Sequence, residues 1–430
     1  MKNGLRPERY NLGMRFCRVV IALLLFNCLI RAQDKATATE LKSVTVPAAI
    51  DHNRVVIDAD VSLPDGSTRQ VHAWVDNGNA DLELSRRLAT LLGLAVSCDD
   101  HACSSPPPRE IRIGGMTIPL GAVKEAKIPL KPVNAAAVLA PGMNVEINIP
   151  SAVLRHYDVL VDFPEHKFSI GAPGTIHFRG SSGKVLVNAE NGLIQVPSQI
   201  ERKKYNLALD VGASIGFLSQ EVFDKLAADH PDWPHITGAV GSANMWGLDE
   251  EPKWNVMRLD RVQFGPLFLT DVAVVDFPKD RMDFFNKRAG VPIVGLLGAN
   301  ELQNYRVGLD YTHSTVYFDI GRLFTFPDFD VIGLILRPED DGRFTILGVA
   351  EFGGKPSVDA VQAGDHLIAV DGIPVRGSTM GQVWAMLGGT ANQERRLTIE
   401  RAGGQSTVVA QVRHFLPELP DEKDAKKKKK

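Results

Sequence analysis

Cysteine is scarce in this chain, with four residues in 430, too few for a disulfide-stapled scaffold. None is spaced with histidine as metal-ligand sets are, so neither a metal nor a cofactor is expected. Aromatic residues make up 7% and no arginine or lysine stripe is interleaved with them. Together with a formal net charge of −3, that gives no reason to expect a nucleic-acid partner. The chain has neither a phosphate-cradling glycine loop nor a Gly-x-Ser-x-Gly elbow, which argues against P-loop and serine-hydrolase chemistry. No apolar run reaches the about 20 residues that span a bilayer. What remains, 44% hydrophobic and 23% charged residues, is the balance of a globular chain long enough for two or three domains.

At the amino end, Lys2, Arg6, Arg9, Arg15 and Arg18 precede the apolar run "VVIALLLFNCLI", and Ala32 offers a small residue for cleavage. This reads as a secretory signal peptide over 1–32, so the protein is expected to be exported to a periplasmic or extracellular space. An uncleaved membrane anchor is the alternative. Cys28 follows Asn27 rather than a small residue, which argues against lipid attachment. In an exported protein Cys98 and Cys103, on one short loop, are candidates for a local disulfide, with free thiols as the alternative. The terminal run Lys426 to Lys430, in a tail from 419 to 430, reads as a solvated segment or a contact for a membrane or anion.

The chain then repeats itself. "WVDNGNADLELS" (74–85) lies on "ALDVGASIGFLS" (208–219) without a gap, pairing Asp76 with Asp210 and Gly78 with Gly212 at an offset of 210 − 76 = 134. "LRHYDVLVDFPEHKFSI" from Leu154 lies on "LQNYRVGLDYTHSTVYF" from Leu302, at 302 − 154 = 148. The second copy has therefore gained 148 − 134 = 14 residues net between the two matches. The glycine-rich stretch "ITGAVGSANMWGLDEEPKWN" is the expected position of the gain. Both copies read as short strands with period-2 patterning and tight turns.

A buried carboxylate is costly unless something pairs with it, and the duplication supplies a partner. If the copies pack about a pseudo-two-fold axis, Asp76 and Asp210 become neighbours. Two carboxylates so close share a proton, so one can deprotonate water while the other hydrogen-bonds or protonates a substrate carbonyl. The aspartic-protease pair is the best-known dyad of this kind.

These residues resemble the aspartic proteases of the pepsin and retropepsin type, over roughly residues 45 to 321. The likeness rests on "DVGAS" at Asp210 to Ser214, on "VPIVGLLGANELQNYRVGLDY" from Val291, and less closely on "DNGN" at Asp76 to Asn79. The resemblance implies Asp76 and Asp210 as the catalytic pair at the base of a cleft between two β lobes. It also implies a peptide or protein substrate, with Gly78, Gly212 and Ser214 beside it. Three positions depart from the pattern: Asn77 and Val211 stand where the family has Thr or Ser, and Ile147 stands where the second copy has Gly295. Asparagine can hydrogen-bond across to the other loop; valine cannot through its side chain. The glycine-rich excess is expected to form a mobile flap in which Met245 and Trp246 touch substrate.

From about residue 329 to 414 the pattern changes and resembles a PDZ domain, most specifically in "VQAGDHLIAVDGIPV". That resemblance implies a backbone nest at Gly333, Leu334, Ile335 and Leu336 for a peptide's terminal carboxylate. The peptide would lie as an added strand beside the helix "TMGQVWAML". The alternative is a module that only caps the protease. The expectation is a mainly β chain: protease-like halves over 33–178 and 179–325, related by pseudo-two-fold duplication, and an α/β PDZ-like domain over 326–418. Its function would be endopeptidase action, or peptide binding by a weak or inactive relative.

Overall fold

Asp76 ends a strand whose neighbours decide where it sits. The computed structural model describes residues 41–99, 102–129, 142–323, 328–339 and 341–419. The signal segment with its Ala32 cleavage point, and the Lys426–Lys430 run, lie outside them. Among the described residues no helix is long and apolar enough to cross a membrane. The chain is mainly β.

In the first half, β1 (Ser43–Asp51) turns at His52 and Asn53, both at positive φ, into β2 (Arg54–Ser62), which pairs antiparallel with β3 (Thr68–Asp76). Val71, Ala73 and Val75 alternate inward along β3, as a half-buried strand requires. Helix α1 (Arg86–Leu91) starts at Ser85, whose side chain accepts the Leu88 amide at 3.0 Å. Strand β4 (Ile147–Pro150) then returns parallel to β3, and β5 (Asp158–Asp162) and β6 (Lys167–Gly171) close the half. Cys98 and Cys103 are joined by a disulfide in a small four-stranded sheet beside α1.

The second half repeats the plan with β7 (Ile194–Ile200), β8 (Lys203–Leu209), β9 (Gly216–Ser219) and helix α2 (Gln220–Asp229). It continues with β10 (His235–Thr237), β11 (Asn255–Phe264), β12 (Leu267–Phe277), β13 (Gly295–Leu297), β14 (Tyr305–Asp310) and β15 (Thr315–Ile320). Trp74 lies opposite Asn148 in the first parallel pair, and Ala208 opposite Leu296 in the second. The separations are 208 − 74 = 134 and 296 − 148 = 148, the two offsets of the sequence repeat. The halves join where β5 pairs antiparallel with β14, and there Leu160 faces Gly308, at 308 − 160 = 148 its own counterpart. A residue meeting its own equivalent marks a two-fold axis.

The last module orders its strands as β16 (Leu334–Pro338), β17 (Phe344–Val349), β18 (His366–Val370), β19 (Glu394–Arg401) and β20 (Gly404–Gln411). Helix α3 (Met380–Leu387) opens with a capping box between Thr379 and Gln382. Its core is continuous with that of the second half: Val240, Met245 and Trp254 pack in one cluster with Ile332, Leu334 and Trp384. Each such side chain fully buried contributes about 1.5–3 kcal/mol, so the module is fastened to the second half rather than strung behind it.

Candidate functional site: two aspartates across a two-fold

Because the halves are related by a two-fold, the turns after β3 and β8 meet head to head. Each turn's glycine faces the other turn. A Cβ on Gly78 would lie 1.9 Å from Asp210 Oδ2, and one on Gly212 would lie 3.0 Å from the Cα of Asp76 and from Val75 O. Only glycine lets the turns approach this closely.

The braces between the turns are unequal. The Asn77 side chain reaches across to the second half, donating through Nδ2 to Leu209 O at 2.7 Å and accepting the Val211 amide through Oδ1 at 2.8 Å. One carboxamide thus makes both a donor and an acceptor contact. Val211, fully buried, returns nothing from its side chain. Ile147 also departs from its counterpart, for a visible reason. A Cβ on Gly295 would strike Phe217 O at 2.0 Å, because β13 is laddered to β9 over two residue pairs. In the first half the matching contact is a single bridge, Leu84 to Ile147, and the isoleucine fits.

Both carboxyl groups are buried and both are held above the ordinary carboxylate range, but by different surroundings. Asp76 is raised well above it, by burial first and then by the charges of Asp210 and Glu83; Asn148 and the Asn79 amide oppose the rise. Asn148 Nδ2 lies 3.4 Å from Asp76 Oδ2. Asp210 is pushed up to about 6 by burial, against the pull of three backbone N–H groups on Gly212, Ala213 and Gly78. The Gly212 amide donates to Asp210 Oδ1 at 2.7 Å. Donors stabilise the charged form, so the three amides at Asp210 oppose its rise, while the charge of Asp210 adds to the rise of Asp76.

Ser214 is buried, and its carbonyl accepts from Asn53 Nδ2 at 3.0 Å. Two expectations need correction. Met245 and Trp246 do not stand over the dyad in an open flap. Met245 is 1% exposed, and Trp246 packs edge-on against Trp254 with its amide on Glu251 Oε1 at 2.9 Å. The loop over 238–254 lies against the C-terminal module instead, because backbone at positive φ in Gly238, Gly241 and Gly247 lets the two surfaces touch. Nor do Gly333, Leu334, Ile335 and Leu336 form an open carboxylate nest. All four are buried, the Leu334 amide is spent on Ile332 O at 2.8 Å, and Leu336 is bonded through both its amide and its carbonyl to Asn244.

Sequence reasoning missed Asn148, Glu83, Arg54 and Asn244. Asn148 carried a signal, a lone amide inside the apolar strand "INIP". Arg54 carried a weaker one, a cation opening the apolar strand β2; it is 2% exposed, and among the described residues its Nε and Nη2 have no hydrogen-bond partner. Among the described residues no group of three or more His, Cys, Asp or Glu is arranged to hold a metal ion. Comparison with known proteins adds little. No protein-family model and no curated protein matches the chain. Among solved structures it is similar to an aspartic proteinase from Irpex lacteus, at a TM-score of 0.37 and 12% identity, over 65% of this chain and 97% of that one.

Proposed function

We propose that this chain is an aspartic-type endopeptidase whose Asp76 and Asp210 hydrolyse peptide bonds with an activated water. One observation carries the reading: two buried carboxylates, at equivalent positions of a duplicated half, are set against each other with opposite surroundings. Ionised Asp210 takes a proton from water as the oxygen attacks the carbonyl carbon, while protonated Asp76 gives its proton to the carbonyl oxygen. When the tetrahedral diol collapses, Asp210 passes its proton to the departing nitrogen and Asp76 recovers one from the diol. Such general acid–base steps contribute about 10²- to 10⁴-fold each. No covalent intermediate is needed. Export fits the Cys98–Cys103 disulfide, since such bonds persist in oxidising compartments, and the edge strand β16 of the C-terminal module fits a PDZ-like role in docking peptides or regulating access.

A second reading, a protein that grips peptides without cutting them, is favoured by Val211, which leaves one of the two braces unmade. The purified mature chain and its Asp76→Asn and Asp210→Asn variants, assayed on a peptide library, separate the two. On the first reading each variant loses cleavage by about 10³-fold or more, and the double variant is no worse than either single one, as for groups that act as a unit. Cleavage that survives in both single variants removes the dyad.

A further inference from the structure

Among the described residues strand β16 pairs with β17 on one side only; on its other edge the Leu334 amide is bonded to Ile332 O, and Leu336 turns its amide and carbonyl outward, where another strand could pair. That edge is occupied by a side chain. Asn244 accepts the Leu336 amide through Oδ1 at 2.9 Å and donates through Nδ2 to Leu336 O at 3.0 Å. A carboxamide offers the same C=O and N–H as a peptide group, so Asn244 stands in for one rung of a strand. The same Nδ2 also donates to Glu251 Oε2, which fixes the amide from inside its own loop.

The loop is seated along the strand by backbone contact. A Cβ on Gly238 would lie 3.2 Å from that of Ala350, and one on Gly247 would lie 2.9 Å from Arg337 Cα. From the helix side, Thr379 Oγ1 donates to Asp51 Oδ1 at 2.7 Å, the Met380 amide donates to Gly142 O at 2.6 Å, and His52 stacks on Trp384. The loop thus covers the free edge of β16, and the β1–β2 turn covers the start of α3.

Both fillers touch the dyad's surroundings. Met245 O accepts from Arg54 Nη1 at 3.5 Å. The charge of Asp76, with those of Asp51 and Glu251, favours the charged form of the buried Arg54 guanidinium. Asn53, beside His52, donates to Ser214 O behind Asp210.

Resting on the peptidase reading, we propose that the loop over 238–254 is an internal occupant of this strand edge. An extended peptide segment that pairs with β16 displaces Asn244, releases the loop and raises hydrolysis at Asp76 and Asp210. The edge takes backbone in extended form, because what it offers at Leu336 is one donor and one acceptor in strand spacing. The closed state, with the loop seated, is therefore the restrained one.

The test uses the full mature chain and Asn244→Ala. Amide exchange at Leu336 and across 238–254 is expected to quicken about tenfold or more, and the hexapeptide Thr-Val-Thr-Val-Thr-Val with a free carboxylate to bind about tenfold tighter. Unchanged exchange, or exchange that quickens without tighter binding, overturns the latch. In the cleavage arm, Asn244→Ala is expected to raise kcat/KM about tenfold. A loss of cleavage with faster exchange overturns it, because the loop would then be needed where it lies. A Gly238→Cys/Ala350→Cys pair, oxidised, is expected to hold cleavage at or below the native rate with the hexapeptide present, and reductant to restore the response. Native chain carried through the same reductant controls for Cys98–Cys103. If every form, native included, cuts nothing, the peptidase reading fails, while exchange and hexapeptide binding still decide the latch.

Discussion

The two aspartate turns occupy equivalent places and do unequal work. The first supplies the brace, through the single carboxamide of Asn77, and gives its own aspartate two donors, Asn148 and the Asn79 amide. The second has Val211 in the bracing position but surrounds Asp210 with three backbone N–H groups, one of them from Gly78 of the opposite turn. A duplicated fold thus gives both carboxyls one geometry, and the neighbours that differ between the copies give them different electrostatic surroundings. On the proposed reading, that asymmetry suits Asp210 as base and Asp76 as acid. It also shows why a hydroxyl on both turns is not required to hold the frame: one side chain able to donate and accept can span both bonds.

Breaking the brace is the largest way to disturb that comparison, short of removing the aspartates. Asn77→Ala leaves the Val211 amide and Leu209 carbonyl buried and unpaired, at about 1–3 kcal/mol each. Denaturant unfolding is expected to show a loss of about 2–5 kcal/mol and initial-rate assays a fall of about 10²-fold in kcat, with Asn77→Thr recovering part of both. An unchanged midpoint would mean that the brace carries no strain from the dyad.

The pH profile sharpens the difference between the turns. Asp210 is pushed up to about 6 and Asp76 well above the ordinary carboxylate range; on the proposed mechanism cleavage needs the first ionised and the second protonated. The rate should climb about tenfold per unit up to roughly pH 6 and fall again on the alkaline side, the apparent values belonging to the pair. A flat profile between pH 4 and 6 would contradict the assignment of Asp210 as base.

Stability follows from the same shifts, with the sign opposite to that of a salt-bridged carboxylate. Both groups have folded values above their unfolded ones, so the folded chain binds more protons and the pair's contribution to stability falls as pH rises from about 4 through the folded values. Asp210→Asn removes that cost. The variant should be more stable than the native chain by on the order of 1–3 kcal/mol at pH 7 and nearly equal to it at pH 4, measured by thermal or urea unfolding at both.

The smallest effect expected is a gain. Val211→Thr keeps shape and adds a hydroxyl. By the two-fold, that hydroxyl faces Val75 O and the Asn77 amide, the counterparts of the atoms Asn77 already binds. Turnover should rise severalfold with little change in KM; a fall would mean that the second turn has no partner to offer the hydroxyl.

The place of both aspartates, their equivalence and the 134 and 148 offsets were legible in the chain, because duplication writes the same short pattern twice and strand registers obey it. The brace was half legible: Asn77 was recognisable as a bonding residue, but not that it makes both bonds. Asn148 and Glu83 were hidden, since they reach Asp76 only after β4 has returned alongside β3. The loop over 238–254 misled, because glycines and polar residues read as mobile while its partner, β16, lies about ninety residues further on.

What the sequence determined by itself was local and periodic: alternation along strands, glycines where turns must cross, a capping box on α3, and one carboxylate per copy. What only the tertiary structure decided was which groups face each other across long separations. Proton sharing at the dyad depends on donors counted in space, and the docking of Asn244 on Leu336 depends on an unpaired strand edge that exists only once the C-terminal sheet has formed.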